Sequence, residues 1–377
     1  MPTQGGGMEI IMKGLILSIT AGQGHNQTAK VLSEGFNSNG IDCSYMDVFE
    51  YINPLLSDSV SQIYLMSTKN IPKIYGKFYR MCENRPNDEM HGLPKVTTRI
   101  LAKKLLKKIE SERPDFIICT HVFAALLVSC LDGYINHKAK TFGIVTDFTI
   151  HPYWEDTSLD YYVTPDKLLN GQAGRKGIGA DKILPIGIPI APKFASRMPR
   201  EAALAELGLP NERTVLVMSG SMGFGDVASE IQALAETDMD FQIVTICGNN
   251  TKLKKCIDKL DLPKKIFNYG YVNNVDLFMD ASECIVTKPG GLTSSEALAK
   301  GIPMVISNPI PGQEDRNVEF LLNAGAAIKV SPTYPIDDAL IQLFSDNRLR
   351  LIQETIKQLG KPNSTQMLID FVKENCK

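Results

Sequence analysis

Short apolar segments rich in β-branched residues alternate with helix-forming segments along the chain, and this alternation is the strongest constraint on its fold. The pattern begins with the strand KGLILSIT, a glycine turn and the helical segment NQTAKVLSEGFNSNG. It restarts with the strand TVLVMSG after a proline-rich stretch at 187–201. Apolar strands that are separated by helices form parallel sheets covered on both faces. The sequence therefore predicts an α/β protein with two Rossmann-like, doubly wound domains.

The length of 377 residues also favours two domains, because a single hydrophobic core of this size usually divides. We predict an N-terminal domain over residues 1–190 and a second domain over 200–355. The helical segment 356–377 is expected to cross back to the first domain. Ligands of open α/β sheets bind beyond the carboxyl ends of the strands, so the site is expected in a cleft between the domains.

Composition excludes several classes of protein. The 40 basic and 42 acidic residues nearly balance, which argues against a general nucleic-acid-binding protein. The eight cysteines include no C-x-x-C pair, a pattern typical of reduced thiols in the cytosol. No stretch reaches the ~18 to 20 apolar residues that a membrane helix needs. We therefore expect a soluble, cytoplasmic protein with no nucleic-acid partner.

Basic charge is concentrated between residues 69 and 108, where eleven basic residues face three acidic ones. If IPKIYGKFYRM (71–81) and the residues just before it are helical, one stripe of the helix is apolar and another carries lysines. The apolar stripe has Ile71, Ile74, Tyr75 and Phe78, and the basic one has Lys69, Lys73 and Lys77. A basic amphipathic helix can lie on an anionic membrane surface. The alternative is a surface helix whose apolar stripe packs on its own domain.

The segment KPGGLTSSEA at 288–297 leaves an apolar strand, crosses two glycines and enters a helix. Glycine lets a ligand approach the backbone closely, and a helix N-terminus favours an anion. Gly290, Gly291 and Thr293 are therefore candidates for a phosphate site, with the Glu296 carboxylate beside it.

The segment TAGQGHNQTA at 20–29 follows the first strand and places His25 at the start of a helix. Its glycine spacing is not that of a dinucleotide site, so it is a weak nucleotide signal by itself. A neutral imidazole that projects into the cleft is suited to act as a general base near pH 7, whereas the alternative is a solvated residue at a helix start.

A second polar loop, VTDFTIHPYW at 145–154, also follows a strand. Asp147 is a candidate to orient an imidazole or to contact an acceptor hydroxyl, and His151 lies close by. The alternative is that Asp147 caps a helix and that Trp154 serves packing.

Two further loops offer groups for a polar ligand. MSGSMGFGDV at 218–227 supplies successive backbone amides that can surround an anion. NPIPGQEDRN at 308–317 supplies side chains able to bind hydroxyl groups, or else forms a polar turn before a helix. TDMD at 237–240 is similar to a metal-binding Asp-x-Asp motif, but it lies at the wrong end of the predicted sheet. No metal site is predicted.

Four of these motifs together resemble one family of enzymes. KPGGLTSSEALAKGIPMVISNPIPGQEDRN, GQGHNQTAKVL, VTDFTIHPYW and YYVTPDKLL…ILPIGIPI resemble the monogalactosyldiacylglycerol synthases and the bacterial processive diacylglycerol β-glucosyltransferases. The resemblance covers about residues 13 to 330 and extends more weakly to the peptidoglycan GlcNAc transferase that forms lipid II. It implies the GT-B fold and an inverting transfer of glucose or galactose from a UDP-sugar to diacylglycerol.

The resemblance also implies roles for individual residues. It makes His25 the catalytic base or the group that orients the acceptor, with Asp147 and His151 beside it. The implied donor contacts are Gly220, Ser221, Met222, Tyr271, Val272, Gly290, Gly291, Thr293, Glu296, Gln313, Glu314 and Asn317. No obligatory metal or other cofactor is implied, because backbone amides and a helix N-terminus stabilise the diphosphate. The basic region would contact the inner face of the cell membrane.

Three other functions stay open at this point. A lipid II-type GlcNAc transferase and a UDP-sugar epimerase can use the same fold. A non-catalytic nucleotide-sugar sensor would keep Glu296 and the glycines but would not need His25. The choice between glucose and galactose, the number of sugars added and the oligomeric state do not follow from the sequence.

Overall fold

The computed structural model describes residues 12–20, 23–52, 95–135, 138–218, 226–345 and 347–376. In these ranges the strands form two parallel sheets of six strands each, one in each half of the chain. This confirms the prediction of two doubly wound α/β units. The basic segment with Lys69, Ile71, Lys73, Ile74, Lys77 and Phe78, and the loop with Gly220, Ser221 and Met222, lie outside the described residues.

The first sheet has the strand order β2-β1-β3-β4-β5-β6. Its strands are β1 (Lys13–Ser18), β2 (Asp42–Asp47), β3 (Phe116–Cys119), β4 (Lys140–Ile144), β5 (Tyr161–Val163) and β6 (Ile183–Leu184). The order reverses between β1 and β3, and such a switch point opens a crevice at the carboxyl edge of the sheet. The segments that leave β1, β3 and β4 therefore meet at this edge.

Helices of the first half cover this sheet. They are α1 (Gln23–Ser38), α2 (Val48–Ile52), α3 (Lys95–Glu112), α4 (Val122–Ser129) and α5 (Asn170–Arg175). In α1 the buried side chains recur at helical spacing, with Ala29, Leu32 and Phe36 fully buried on one face. Apolar residues at this spacing form the stripe by which a helix packs on a sheet.

The second sheet has the order β12-β11-β10-β7-β8-β9. Its strands are β7 (Thr214–Met218), β8 (Gln242–Ile246), β9 (Ile266–Tyr269), β10 (Cys284–Thr287), β11 (Met304–Ile306) and β12 (Ala327–Lys329). Here the order reverses between β10 and β7, so the segment after β10 lies at the second switch point. That segment is KPGG, the predicted phosphate site.

The second half contributes most of the remaining helices. They are α6 (Arg200–Glu206), α7 (Val227–Ala235), α8 (Thr251–Ile257), α9 (Val275–Asp280), α10 (Gly291–Lys300), α11 (Gln313–Asn323), α12 (Ile336–Phe344) and α13 (Arg348–Leu359). Helix α10 begins at Gly291, the second glycine of the pair, and its C-cap is Gly301, whose φ of 68° is the left-handed conformation that glycine adopts readily at a helix end. This confirms the prediction of a helix that starts at the glycine pair and stops at Gly301.

The last helix, α14 (Ser364–Asn375), packs on the first half of the molecule. Its Leu368, Ile369 and Val372 lie in one core cluster with side chains of α1 and of the first sheet. Its first residues also bind the connection between the halves, because Ser364 Oγ donates to Ile188 O and Thr365 Oγ1 donates to Ile190 O. No helix in the described ranges is both long enough and apolar enough to cross a membrane.

Candidate active site

The two halves meet where the N-termini of α1 and α10 approach each other. A Cβ placed on Gly24 would lie 3.9 Å from Cβ of Leu292. A Cβ on Gly291 would lie only 1.9 Å from the carbonyl oxygen of Thr146, in the loop after β4. Gly291 is therefore required by the close approach of the backbone of the first half. Gly290 has more room, since its nearest neighbours would be side-chain atoms at 3.8 Å and 3.9 Å.

His25, in the first turn of α1, is held through its Nδ1 atom. Nδ1 lies 2.8 Å from Thr120 O and 3.1 Å from Thr146 Oγ1. Since a carbonyl oxygen only accepts, Nδ1 must carry the proton, and Nε2 of the neutral ring has a free lone pair. Burial lowers the pKa of His25, and the Asp147 carboxylate opposes that shift. A neutral imidazole with an unprotonated Nε2 is the form that a general base requires.

His121 lies next to His25 and forms part of the same site. It is the N-cap of α4, and its Nδ1 accepts the backbone N–H of Phe123 at 3.1 Å. The two imidazole rings are in edge-to-face contact, with centroids 4.5 Å apart and planes inclined by 72°. Burial, with the charges of His25 and His151, holds the pKa of His121 well below its usual range. The site thus contains two neighbouring neutral imidazoles.

The loop after β4 carries an aromatic wall. His151 is the N-cap of a 3₁₀ turn at Pro152–Asp156, and its ring contacts Tyr153, whose ring contacts Phe123 of α4. Trp154 is buried against Gly143 of β4 and serves packing, as the alternative interpretation held. It is His151, and not Asp147, that caps the turn.

Asp147 connects the two halves through its carboxylate. Oδ2 accepts a hydrogen bond of 2.5 Å from Gln313 Nε2, and Oδ1 accepts one of 3.0 Å from Asn317 Nδ2. Asn317 also donates to Pro289 O at 2.9 Å and accepts from the backbone N–H of Phe148 at 2.7 Å. Asn317 is fully buried. In this structure Asn317 and Gln313 join the halves, and their predicted contact with a sugar stays a prediction.

Glu314, at the start of α11, also has partners within the protein. Its side chain is 7% exposed and forms an ion pair with Lys288 of the KPGG segment. It also accepts a hydrogen bond of 2.7 Å from the backbone N–H of Ile310. These contacts tie the start of α11 to the segment after β10. The predicted contact of Glu314 with the sugar also stays a prediction.

Glu296 differs from these residues, because its carboxyl has no hydrogen-bond partner within the described ranges. It lies in the second turn of α10, close to Lys193 and Asp276, which pair with each other at 3.2 Å. Burial raises the pKa of Glu296 to about 8, and the repulsion of Asp276 adds to the shift while Lys193 opposes it. A partly buried carboxyl without a partner is suited to accept hydrogen bonds from hydroxyl groups of a ligand.

The loop after β9 approaches the surroundings of Glu296. Lys193 Nζ donates to the backbone oxygen of Asn273, two residues after the backbone segment Tyr271–Val272. The side chain of Tyr271 is 67% exposed, so the segment is accessible to a ligand. Thr293, one turn before Glu296, is partly buried.

Within the described residues, no group of three or more His, Cys, Asp or Glu side chains is arranged to hold a metal ion. The expectation that no metal is required stays a prediction.

Sequence reasoning missed His121 and the role of Thr120. A signal was present, because His121 comes two residues after the end of β3 and directly precedes a helix, and His25 likewise lies in the segment that follows β1. Its contact with His25 depends on the adjacency of β1 and β3, and adjacency of strands is not visible in a single sequence.

Comparison with known proteins assigns families to both halves. Residues 25–190 match the family described as monogalactosyldiacylglycerol (MGDG) synthase, and residues 200–358 match the family described as glycosyl transferases group 1. A processive diacylglycerol β-glucosyltransferase of Bacillus subtilis (strain 168) is 30% identical over 370 residues, covering 96% of this chain and 95% of the relative. The enzyme of the same name from Bacillus pumilus (strain SAFR-032) is 29% identical over 365 residues, covering 96% and 94%.

Solved structures with this fold share little sequence with the chain. MurG of Acinetobacter baumannii has a TM-score of 0.62 at 14% identity, covering 97% of this chain and 99% of that one. UDP-GlcNAc 2-epimerase of Neisseria meningitidis, bound to UDP-GlcNAc, has a TM-score of 0.58 at 16% identity, covering 97% and 100%. At such identity the likeness establishes the fold, which is the GT-B fold of glycosyltransferases such as MurG, and does not establish the substrate.

Proposed function

The chain belongs to the family of processive diacylglycerol β-glucosyltransferases, and from this premise we propose that it transfers a hexose from a UDP-sugar to diacylglycerol with inversion. The observation that carries the proposal is the position of His25. Its Nε2 atom is unprotonated, and the helix that bears it faces the N-terminus of α10 across the line where the halves meet. A base and an anion-binding helix end are the two elements that such a transfer needs.

The proposed reaction is a single displacement. Nε2 of His25 takes the proton of the acceptor hydroxyl as its oxygen attacks C1 of the hexose. The bond between C1 and the β-phosphate oxygen breaks, and UDP leaves with the electron pair. Attack from the face opposite UDP gives a β-glycoside through an oxocarbenium-like transition state. The proton and the negative charge thus end on opposite sides of the transferred sugar.

The leaving diphosphate requires stabilisation of its growing negative charge. Backbone N–H groups at the start of α10, after Gly290, are available for this role, and fixed amide dipoles act without reorganisation during the reaction. We propose that these amides, with those of the loop containing Gly220, Ser221 and Met222, replace a metal ion. Activity that persists in excess EDTA would support this; activity that returns only with added Mg²⁺ or Mn²⁺ would contradict it.

Hexose transfer by the purified protein is the direct test. Labelled UDP-glucose and UDP-galactose are supplied separately with diacylglycerol in anionic micelles, and the lipid product is identified. We expect a labelled glycolipid from one donor, with glucose favoured by the names of the relatives. A conversion of free UDP-sugar without acceptor would support an epimerase. Binding of UDP without any product would support a sensor.

The membrane contact of the basic segment is proposed on its charge pattern and on the lipid acceptor. We expect the protein to sediment with vesicles containing phosphatidylglycerol and to lose this binding when Lys69, Lys73 and Lys77 are changed to Gln. Three cations contribute about 1 kcal/mol each near an anionic surface, so the loss should be roughly a hundredfold. Equal sedimentation of wild type and variant would contradict the proposed location at the inner face of the cell membrane.

Glu296 is proposed to bind the two ribose hydroxyls of the donor as a carboxylate. Because its pKa is about 8 without ligand, the group is largely protonated at pH 7, and binding must release a proton. Affinity should therefore rise with pH, roughly tenfold per unit, and level off above pH 8. Uridine is the suitable ligand, since it has the ribose but no phosphate that titrates in this range.

Calorimetry between pH 6.5 and 8.5 measures the affinity for uridine. Two buffers of different ionisation enthalpy give the number of protons released on binding. The Glu296→Gln variant is the matched control, and its affinity should be lower and independent of pH. A wild-type affinity that does not change over this range would refute the assignment of Glu296 to the ribose.

A further inference from the structure

His121 has no role in the reaction as described so far, yet its contacts link it to His25 in two ways. The first link runs through the backbone. His121 caps α4, and the residue before it, Thr120, supplies the carbonyl oxygen that accepts the proton of His25 Nδ1. The cap fixes the start of the helix and therefore the direction of that carbonyl group.

The second link is direct contact between the rings. The edge-to-face arrangement at 4.5 Å restricts rotation of the His25 ring, and His121, which is only 9% exposed, shields one side of it from water. Aromatic pairs in this geometry prefer a defined mutual orientation. His121 therefore limits both the direction in which His25 Nε2 points and the water that reaches the ring.

We propose that His121 is a positioning residue for hexose transfer, which holds the imidazole of His25 in the orientation and tautomer that leave Nε2 free to take the acceptor proton. The inference rests on the proposed function of His25 as the base. His121 itself need not touch either substrate.

The hydrogen bond of His121 explains how it can do this as a neutral ring. Its Nδ1 accepts the N–H of Phe123, so the ring proton lies on Nε2. A second proton on Nδ1 would break the cap and place a positive charge against His25. The other titratable groups that face this pair are Asp147 and His151, both from the loop after β4.

A pair of substitutions separates the two links. Asparagine is as good an N-cap as a protein offers, so His121→Asn keeps the hydrogen bond to the helix and removes only the ring. His121→Ala removes both the cap and the ring. If the role of His121 is confined to capping, the asparagine variant should behave as the wild type and only the alanine variant should lose function.

If the ring of His121 positions His25, the asparagine variant should also lose activity. Both variants remove the buried ring, and only His121→Ala also removes the cap, so the Tm of His121→Ala should lie about 2–4 °C below that of His121→Asn. Both should lower kcat by roughly 10- to 100-fold, because a small misplacement of a reacting group has effects of this size. KM for the UDP-sugar should be unchanged.

The pH dependence of activity distinguishes the two roles, because it would not change in His121→Asn if His121 only capped α4. Removal of the ring admits water to His25, so the pKa of His25 should rise toward its ordinary value. Since the base must be neutral, activity is lost as pH falls through this pKa. The acid limb of kcat, measured with saturating donor so that the titration of Glu296 in the free enzyme does not contribute, should move to higher pH in His121→Asn. Wild-type kcat with an unmoved acid limb in that variant would overturn the proposal.

Imidazole ¹⁵N spectra test the inference even if transfer to diacylglycerol fails. In the wild type His25 should be a single Nδ1–H tautomer with a low pKa. In His121→Asn it should show a higher pKa and a mixture of tautomers. An unchanged His25 spectrum would refute the role of His121, whereas an inactive wild type with the expected spectral change would refute only the proposed reaction.

Discussion

Replacement of His25 by alanine should lower kcat for hexose transfer by about 10²- to 10⁴-fold, the range that loss of a general base produces. The reason is geometric, since Thr120 O fixes the proton on Nδ1 and leaves Nε2 as the basic atom in the site. His25→Gln is the matched control for packing, because it keeps a polar side chain of similar reach but provides no base. Both variants should lose activity alike.

The same experiment has a second readout in the binding of the donor. His25 lies on the half opposite Glu296, so affinity for UDP should be the same in both variants and in the wild type. With saturating donor, the wild-type kcat should hold below pH 6.5, because burial lowers the pKa of His25 and the neutral base persists to lower pH. If His25→Ala kept more than a tenth of the wild-type kcat, the assignment of the base would be wrong.

Gly291→Ala should lower kcat for hexose transfer nearly as much as His25→Ala does, for a different physical reason. The new Cβ would lie 1.9 Å from Thr146 O and 3.3 Å from the Cα of Asp147, and both are backbone atoms that cannot rotate away. The loop after β4 would have to move by about an ångström or more, and it carries the Asp147 carboxylate that joins the halves. Misplacement of this size costs on the order of 100-fold in rate.

Gly290→Ala is the control for this prediction. A Cβ at Gly290 meets nothing closer than 3.8 Å, which is ordinary van der Waals contact, and its nearest neighbours are side-chain atoms of Glu314 and Lys288. If the glycines serve only to admit the diphosphate, both variants should lose UDP affinity equally. If Gly291 serves the contact between the halves, Gly291→Ala should lose kcat far more than Gly290→Ala. Equal kcat in the two variants would contradict the structural role.

Local sequence was sufficient to locate most of the elements that carry the site. The strand β10, the glycine pair and the helix α10 follow from an apolar run, a turn signal and a stopping Gly301, all within twenty residues. His25 and Asp147 were found because each follows a parallel strand, and parallel strands end at one edge. The resemblance to diacylglycerol glycosyltransferases, first supported by four motifs, is confirmed by relatives that match along nearly the whole chain.

The partners of these residues were not predictable in the same way. Gly291 was assigned to ligand approach, but the structure shows the backbone of Thr146 against it. Asn317 was predicted to bind the sugar. In the structure its side-chain amide forms hydrogen bonds with Asp147 and with the backbone of both halves. The contacts with Thr146, Asp147 and Phe148 join residues more than a hundred positions apart, whereas Pro289 is 28 positions from Asn317.

The two parallel sheets, the loops at their carboxyl ends and the residue types available there follow from the amino-acid sequence, because these depend on periodicity and turn chemistry over short spans. Which loops touch depends on the packing of the whole chain. This packing sets β1 beside β3, which brings His121 onto His25, and it docks the loop after β4 on α10. The physical reason is that strand order and domain docking are fixed by long-range packing of buried surfaces, to which no local pattern is specific.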